Sequence, residues 1–177
     1  MGNIILVKGN ILNIEADAIV NSINRFFELD LVNIDDNTNS LEWVEIKKSV
    51  NFMKIIRRYY PVGSSAIATA NVLPSKYLIH AITPIWEGGV NHEEEVLKNT
   101  YESCFENIEK YDDIKTISFP CIGTGIFNFP KDKAANIALN AIKKCVFESK
   151  NIEKVIIVCC DDQNYEIYRE LLKRKGL

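Results

Sequence analysis

The residues with the clearest chemical potential lie between an apolar segment and a helical one, at Phe119–Pro130. Gly123 and Gly125 bracket Thr124 there. Glycine adopts positive φ readily and lets the backbone approach a ligand closely, so that successive N–H groups of such a loop can point at one anion. A helix that begins near Pro130 would add the positive end of its dipole. The stretch predicts a phosphate-binding loop, with a glycine turn that holds no ligand as the alternative.

Two common phosphate motifs are excluded by the residues around this loop. A P-loop needs Lys followed by Ser or Thr after its glycines, and no such pair follows Gly125. The Rossmann pattern needs a third glycine where Asn128 stands. An anion at this loop must therefore be held by another backbone geometry.

Short apolar segments alternate with longer segments of helical periodicity along the chain. This alternation predicts a layered α/β domain with helices on both faces of a sheet, and continuously apolar strands favour mostly parallel pairing. A length of 177 residues is usual for one domain, so we expect a single domain over residues 1–177. The predicted strands are 4–8, 18–21, 65–69, 77–82, 116–119 and 155–159, and predicted helices begin near residues 40, 92, 130 and 162.

Composition limits the partners of the chain. The net charge of -3 and the isoelectric point near 5.5 argue against general binding to nucleic acid or anionic membranes, because both need a basic surface. No apolar run is long enough to span a bilayer, and no basic leader precedes the first apolar segment. The five cysteines show no paired spacing for zinc. We expect a cytoplasmic protein without a metal site or a cofactor.

Several segments, taken in their order along the chain, resemble one known family. They are Gly9–Ile11, Ala16–Asn24, Leu73–Pro84, the Gly123–Phe127 loop and Val155–Tyr165. In this order and spacing they are similar to the macro domain family, in which a Gly-Asp-Ile element precedes an Asn-Ala-Ala-Asn element. The resemblance implies a three-layer α/β/α fold with a mixed, mostly parallel sheet. It also implies binding of ADP-ribose or a related nucleotide diphosphate sugar, and some family members cleave ADP-ribose from proteins or small molecules.

The resemblance implies a role for individual residues, each with a chemical reason. An aromatic ring offers an apolar face to a sugar, and an asparagine amide can both donate to and accept from ribose hydroxyls. The implied contacts are Asn10 and Ile11 with adenine; Gly123, Thr124, Gly125 and Ile126 with the diphosphate; Asn128 at the end of that loop; and Phe127 and Asn24 with the distal ribose.

Four positions depart from the family pattern. Asn10 replaces an aspartate, so its bond to the adenine amino group loses charge assistance. Asn128 replaces the last glycine of the phosphate loop, a mild change because asparagine tolerates left-handed backbone. Cys160 stands where relatives often place an aromatic residue beside adenine. Val32–Asp35 stands where hydrolytic members carry Gly-Gly-Val-Asp, and Val32 does not easily take positive φ.

These departures leave three functions open. The leading one is binding of an ADP-ribose-like ligand, with ADP-ribose or an ADP-ribosylated target as the partner. The second is an ADP-ribosyl hydrolase that releases ADP-ribose from a protein, a nucleic acid or a metabolite. Asn24 and Asp35 would then position a water at the anomeric carbon, and no obvious general base accompanies them. The third is a diverged macro-like scaffold whose altered loop, 25–38, binds another nucleotide or a protein partner.

The other reactive side chains are assigned structural roles. Cys121 and His80 are expected to be packing residues rather than a nucleophile and a base. One of Asp161 and Asp162 is expected to cap the last helix. The acidic run Glu93–Glu95 is expected to be solvated surface in the first turn of its helix.

Overall fold

The described residues form one six-stranded sheet flanked by helices. A computed structural model of the chain describes residues 3–26, 40–56 and 59–176. The strand order is β1-β6-β5-β2-β4-β3. The strands are β1 (Asn3–Lys8), β2 (Ala18–Ile23), β3 (Ser65–Thr69), β4 (Tyr77–Ile82), β5 (Thr116–Pro120) and β6 (Lys154–Cys159).

The sheet is mixed and mostly parallel, as the sequence and the resemblance predicted. Every neighbouring pair is parallel except β3 with β4, which is antiparallel. The short connection 70–76 joins β3 to β4 directly, whereas parallel neighbours need a long crossover, here through helices. In the strand order, this antiparallel strand, β3, lies at the edge of the sheet.

Helices cover both faces of the sheet and complete three layers. Ala18 and Val20 of β2 pack in the same core cluster as α2, α3 and α4, whereas Ile19 and Ile23 pack with α1. Successive side chains of a strand point to opposite faces, so one strand supplies both cores. The helices are α1 (Leu41–Ile56), α2 (Glu93–Ile108), α3 (Lys131–Glu148) and α4 (Asp162–Lys175).

The parallel arrangement gathers the predicted site at one edge. Because β1, β2, β4, β5 and β6 run in the same direction, the segments that follow them emerge on the same side. Open α/β sheets bind their ligands in the crevice outside these carboxyl ends. The segments carry Asn10 after β1, Asn24 after β2, Thr83 after β4, the loop 121–130 after β5, and Cys160 after β6.

Two structural features are relevant to the expected cytoplasmic location: the state of the cysteines, and the length and polarity of the helices. None of the five cysteines, all of which lie among the described residues, forms a disulfide; four are buried and Cys160 is exposed. Across residues 3–26, 40–56 and 59–176, every helix is too short or too polar to cross a bilayer. The cytoplasmic location stays a prediction.

A buried polar cluster joins β2 and β4 to α1 beneath the site. His80 is fully buried, and its Nδ1 lies 3.0 Å from Asn21 Nδ2 while its Nε2 lies 2.8 Å from Ser49 Oγ. Burial lowers the pKa of His80 from 6.5 to about 4. The ring is therefore neutral near pH 7, and its two side-chain bonds confirm that His80 is a core residue.

This histidine should make folding sensitive to mild acid. Between pH 6.5 and about 4 the unfolded chain binds a proton at His80 that the folded chain does not, so the free energy of unfolding falls as the pH is lowered through this window. The loss should reach about 3 kcal/mol at pH 4. Urea denaturation at several pH values measures it, with His80→Gln as the control. The account of His80 is wrong if the variant shows the same slope between pH 6.5 and 5 as the wild type.

Candidate functional site

The loop that follows β5 forms a tight turn with left-handed backbone at two residues. Positive φ occurs at Gly123 (82°) and at Asn128 (58°), and not at Gly125. A Cβ atom on Gly123 would lie 3.2 Å from Phe129 Cδ2 and 3.5 Å from Thr83 Cγ2. Glycine is thus favoured at position 123 by its φ, and a Cβ atom there would also require a small shift of the Phe129 ring. Asn128 adopts left-handed backbone, as its residue type allows.

Internal hydrogen bonds rigidify this loop, but two of its backbone N–H groups donate to no acceptor among the described residues. The N–H of Thr124 donates to Cys121 O at 3.2 Å, and the N–H of Phe129 donates to Gly123 O at 2.9 Å. Within the part of the chain that the structure describes, the N–H groups of Gly125 and Phe127 have no acceptor. Phe127 is only 1% exposed. Because a buried N–H without a partner is costly, the amide of Phe127 is suited to an anionic ligand, and the half-buried Gly125 offers a second donor.

Thr124 connects the loop to the first turn of α4. Its Oγ1 donates to Cys121 O at 2.8 Å and accepts from Asn164 Nδ2 at 3.1 Å. The hydroxyl and the amide of Thr124 are thus both engaged in the protein scaffold. The contact of Thr124 with a diphosphate stays a prediction. The hydrogen bonds of Thr124 to Cys121 and Asn164 show that it positions the loop.

Asp161 holds Asn164 in place and caps α4. Its Oδ1 accepts the N–H of Asn164 at 2.9 Å, its Oδ2 accepts Asn164 Nδ2 at 2.7 Å, and Lys131 Nζ lies 2.9 Å from Oδ1. Partial burial acts to raise the pKa of Asp161, but the bonds from Asn164 and Lys131 outweigh it and hold the pKa below 3.8. The predicted cap is confirmed, and Asp161 rather than Asp162 provides it.

Removing this cap should cost measurable stability. Asp161→Ala removes the N-cap of α4 and the ion pair with Lys131, so the free energy of unfolding should fall by about 1 to 2 kcal/mol in urea denaturation. Asp162→Ala is the matched control, because it removes the same charge from an exposed neighbour that makes no cap. Equal losses for the two variants would show that charge, and not capping, is responsible.

Asn24 lies directly after β2 at the same edge. It is 2% exposed, and its Oδ1 accepts the N–H of Phe26 at 2.9 Å. The turn after β2 is therefore built around this amide. Asp35, the other predicted catalytic residue, lies outside the described residues.

The residues predicted to face adenine follow neighbouring strand ends. β1 pairs with β6 and Lys8 pairs with Cys159, so Asn10 and Cys160 emerge next to each other. Asn10 caps a short 3-10 helix, Ile11–Asn13, through a 2.9 Å bond from Leu12 N–H to its Oδ1. Part of the acceptor capacity of Asn10 is thus used within the protein.

Phe127 and Ile126 differ sharply in exposure. Ile126 is 49% exposed, whereas the ring of Phe127 is buried and its carbonyl accepts the N–H of Trp86 at 2.8 Å. This bond ties the loop to the segment after β4. The contact of Phe127 with a sugar stays a prediction.

Cys121 does not have the surroundings of a nucleophile. It is buried, and its Sγ lies 3.4 Å from Cys159 Sγ. The interaction with Cys159 and burial raise the pKa of Cys121 well above its ordinary value. The thiol is protonated near pH 7, and the prediction of a packing role is confirmed.

The prediction that Glu93–Glu95 is solvated surface is wrong for its first residue. Glu93 is 3% exposed, and its carboxylate accepts the N–H groups of Glu87 at 3.0 Å, Gly89 at 3.2 Å and Asn91 at 2.7 Å. Burial acts to raise the pKa of Glu93, but these N–H donors outweigh it and hold the pKa below its ordinary value. Glu93 therefore fixes the loop between β4 and α2.

Comparison with known proteins identifies the family. Residues 45–138 match the family model described as Macro domain. Over 172 residues the chain is 38% identical to O-acetyl-ADP-ribose deacetylase 1 of Pantoea vagans, and the match covers 97% of this chain and 99% of that protein. This chain belongs to the macro domain family.

Solved macro domains share the fold. The Oceanobacillus iheyensis macrodomain with MES bound matches with a TM-score of 0.83 at 30% identity, covering 97% of this chain and 90% of that chain. A mutant of that macrodomain with ADPR matches with a TM-score of 0.81 at 30% identity, covering 97% and 92%. The three-layer architecture of this macro domain is therefore the macro fold.

Over its described residues, no group of three or more His, Cys, Asp and Glu side chains is placed to hold a metal ion.

Proposed function

We propose that this macro domain binds ADP-ribose across the carboxyl ends of its parallel strands, with the diphosphate at the loop 122–128. The observation that carries the proposal is the pair of amides at Gly125 and Phe127, which have no acceptor among the described residues of an otherwise bonded loop. Convergent backbone N–H groups ahead of a helix bind phosphate. The proposal takes residues 1–177 as one macro-type domain.

The order of the strands supports this placement. Asn10, Cys160, the phosphate loop and Asn24 follow β1, β6, β5 and β2, which are successive neighbours in the sheet. At about 4.8 Å per strand, the three intervals span on the order of 14 Å. An extended ligand can therefore meet an adenine side at β1 and β6, a diphosphate site at β5 and a distal-ribose site at β2.

Calorimetry with ADP-ribose, ADP and AMP tests the binding function. ADP-ribose should bind one site per chain and at least about tenfold more tightly than AMP, because it adds the diphosphate and the distal ribose. Heats no larger than dilution would contradict the proposal. Binding of another nucleotide without any response to ADP-ribose would favour the diverged scaffold instead.

A second candidate function is deacetylation of O-acetyl-ADP-ribose. It is favoured by the relative of 38% identity, which is named for this activity, and by the buried amide of Asn24 at the proposed distal-ribose end. The reaction adds one water, breaks the acyl C–O bond and yields acetate and ADP-ribose. His80 is neutral and bonded on both ring nitrogens, and Cys121 is protonated, so neither acts as base or nucleophile. Hydrolysis here would rest on positioning of substrate and water.

Mass spectrometry separates binding from hydrolysis. Incubation with O-acetyl-ADP-ribose should convert it to ADP-ribose and acetate, and a parallel incubation with a mono-ADP-ribosylated protein tests release of ADP-ribose. Turnover of the first substrate alone identifies a deacetylase, and turnover of the second an ADP-ribosyl hydrolase. An unchanged mass of both substrates would leave this macro domain a binding module.

A further inference from the structure

A small cavity lies between β2 and the elements that cover the α1 face of the sheet. Its volume is about 20 Å³, and one water molecule needs about 10 to 15 Å³. Ile11 and Leu12 of the 3-10 helix, Ile46 of α1 and Pro120 of β5 line it together with Asn21 of β2. The cavity is thus large enough for one water molecule and for nothing larger.

The cavity forms where β2 and β5 diverge. The paired residues of these strands end at Ile19 and Ser118, whereas β2 stays paired with β4 to its end. Val20 and Ser22 line the cavity as well as Asn21, although successive side chains of a strand point to opposite faces. The cavity therefore reaches the backbone of β2, in the gap between the two strands.

Asn21 brings to this cavity a polar atom that lacks a protein partner. Its side chain is 4% exposed, and its Oδ1 accepts no hydrogen bond within the part of the chain that the structure describes. Its Nδ2 lies 3.0 Å from His80 Nδ1. A neutral histidine ring presents either an acceptor or a donor at Nδ1, so it bonds only one end of the amide. The other end needs a partner, because an unpaired buried polar group costs stability.

Ser118 supplies a second polar atom on the same face of the sheet. It is fully buried, and its Oγ has no hydrogen-bond partner among the described residues. Because Ser118 pairs with Ile19, its side chain shares the face of Ile19 and Asn21. One strand across and two residues along, the Cα atoms of Asn21 and Ser118 should lie roughly 8 Å apart. Their side chains shorten this interval to roughly 5 to 6 Å, which is two hydrogen bonds end to end.

We propose that one internal water molecule occupies this cavity and bridges the Asn21 amide to Ser118 Oγ. The water donates to Asn21 Oδ1 and shares a second hydrogen bond with the Ser118 hydroxyl. It satisfies both side chains at the place where β2 and β5 separate, so the strands diverge toward the carboxyl ends without unpaired buried polar atoms. This water site does not depend on the proposed binding of ADP-ribose.

A high-resolution crystal structure of the wild type tests the water site directly. It should show an ordered water about 2.7 to 3.1 Å from both Asn21 Oδ1 and Ser118 Oγ. A cavity without an ordered water, a water bonded to only one of the two side chains, or a direct bond between them would each contradict the bridge.

Ser118→Ala distinguishes a bridged hydroxyl from an unpaired one in solution. Loss of a water-mediated bond should lower the melting temperature by about 2 to 4 °C, whereas removal of an unpaired buried hydroxyl should leave it unchanged or raise it. Ser22→Ala is the matched control, because its buried hydroxyl lies 2.9 Å from Thr83 Oγ1 and sets the scale for the loss of a direct bond. An unchanged or higher melting temperature of Ser118→Ala contradicts the proposal.

Asn21→Leu tests whether the two side chains share one water. Leucine nearly matches the shape of asparagine and has no polar atom. In this background Ser118→Ala should lower the melting temperature by less than about half of its effect in the wild type, because residues that share a partner are not additive. Equal effects in the two backgrounds contradict the bridge. If Asn21→Leu does not fold, the wild-type crystal structure and Ser118→Ala still decide the question.

Discussion

Gly125→Glu is expected to raise the Kd for ADP-ribose at least about a hundredfold. The substitution places a carboxylate on the loop that we assign to the diphosphate, where two like charges a few ångströms apart repel by several kcal/mol even in a moderately polar environment. Gly125 does not have positive φ, so the new side chain imposes no left-handed backbone strain. Calorimetry with ADP-ribose gives the Kd, and the melting temperature confirms folding.

Gly125→Gln is the matched control for this variant. Glutamine has nearly the shape of glutamate without its charge, so it should weaken binding much less than glutamate does. Wild-type affinity in Gly125→Glu would place the diphosphate elsewhere. The same loss in both variants would show that bulk, and not charge, excludes the ligand.

Asn24→Ala is expected to weaken ADP-ribose binding about tenfold and, if the macro domain deacetylates O-acetyl-ADP-ribose, to lower turnover at least about a hundredfold. Asn24 is buried at the proposed distal-ribose end, and its Oδ1 fixes the turn by accepting the N–H of Phe26. Alanine removes the amide that would contact ribose and leaves that N–H without its acceptor. The measurements are calorimetry and mass spectrometry of the acetylated substrate.

Asn21→Ala controls for loss of a buried amide as such. Asn21 lies on β2 too, but its Nδ2 bonds to His80 in the core. It should lower the melting temperature and change the Kd for ADP-ribose less than about threefold. If Asn21→Ala and Asn24→Ala weaken binding equally, the effect of Asn24 is structural and not a ligand contact.

The sequence was sufficient to predict the sheet and the position of the glycine-containing turn after β5 because both depend on local patterns. Apolar runs separated by helical segments define the strands, and parallel pairing then brings their carboxyl ends together. Left-handed backbone at Asn128 and the cap at Asp161 also follow from residue type.

Glu93 shows what local patterns could not predict. Three consecutive glutamates at a helix start resemble an exposed first turn. The burial of Glu93 arises because Gly88 (φ 99°) and Gly89 (φ 84°) turn the preceding backbone so that its N–H groups converge on the carboxylate. A single-sequence pattern contains no signal for that convergence.

Thr124 shows the same limit of local patterns for a pair of residues that lie farther apart in the sequence. The resemblance implied a diphosphate contact for Thr124, and nothing in the sequence indicated that its hydroxyl also bonds to Asn164 on α4, a partner distant in sequence. A pocket beside Asn24 is likewise lined by residues that follow β2 and β4, precede β3 and belong to α2. Only the tertiary structure brings these residues together.

A crystal structure of the wild type with ADP-ribose is the most direct test of the central claim, that the loop 122–128 binds the diphosphate. It should place phosphate oxygens about 2.7 to 3.2 Å from the amide nitrogens of Gly125 and Phe127, with adenine toward Asn10 and the distal ribose toward Asn24. A ligand bound with its diphosphate away from these two amides would contradict the account.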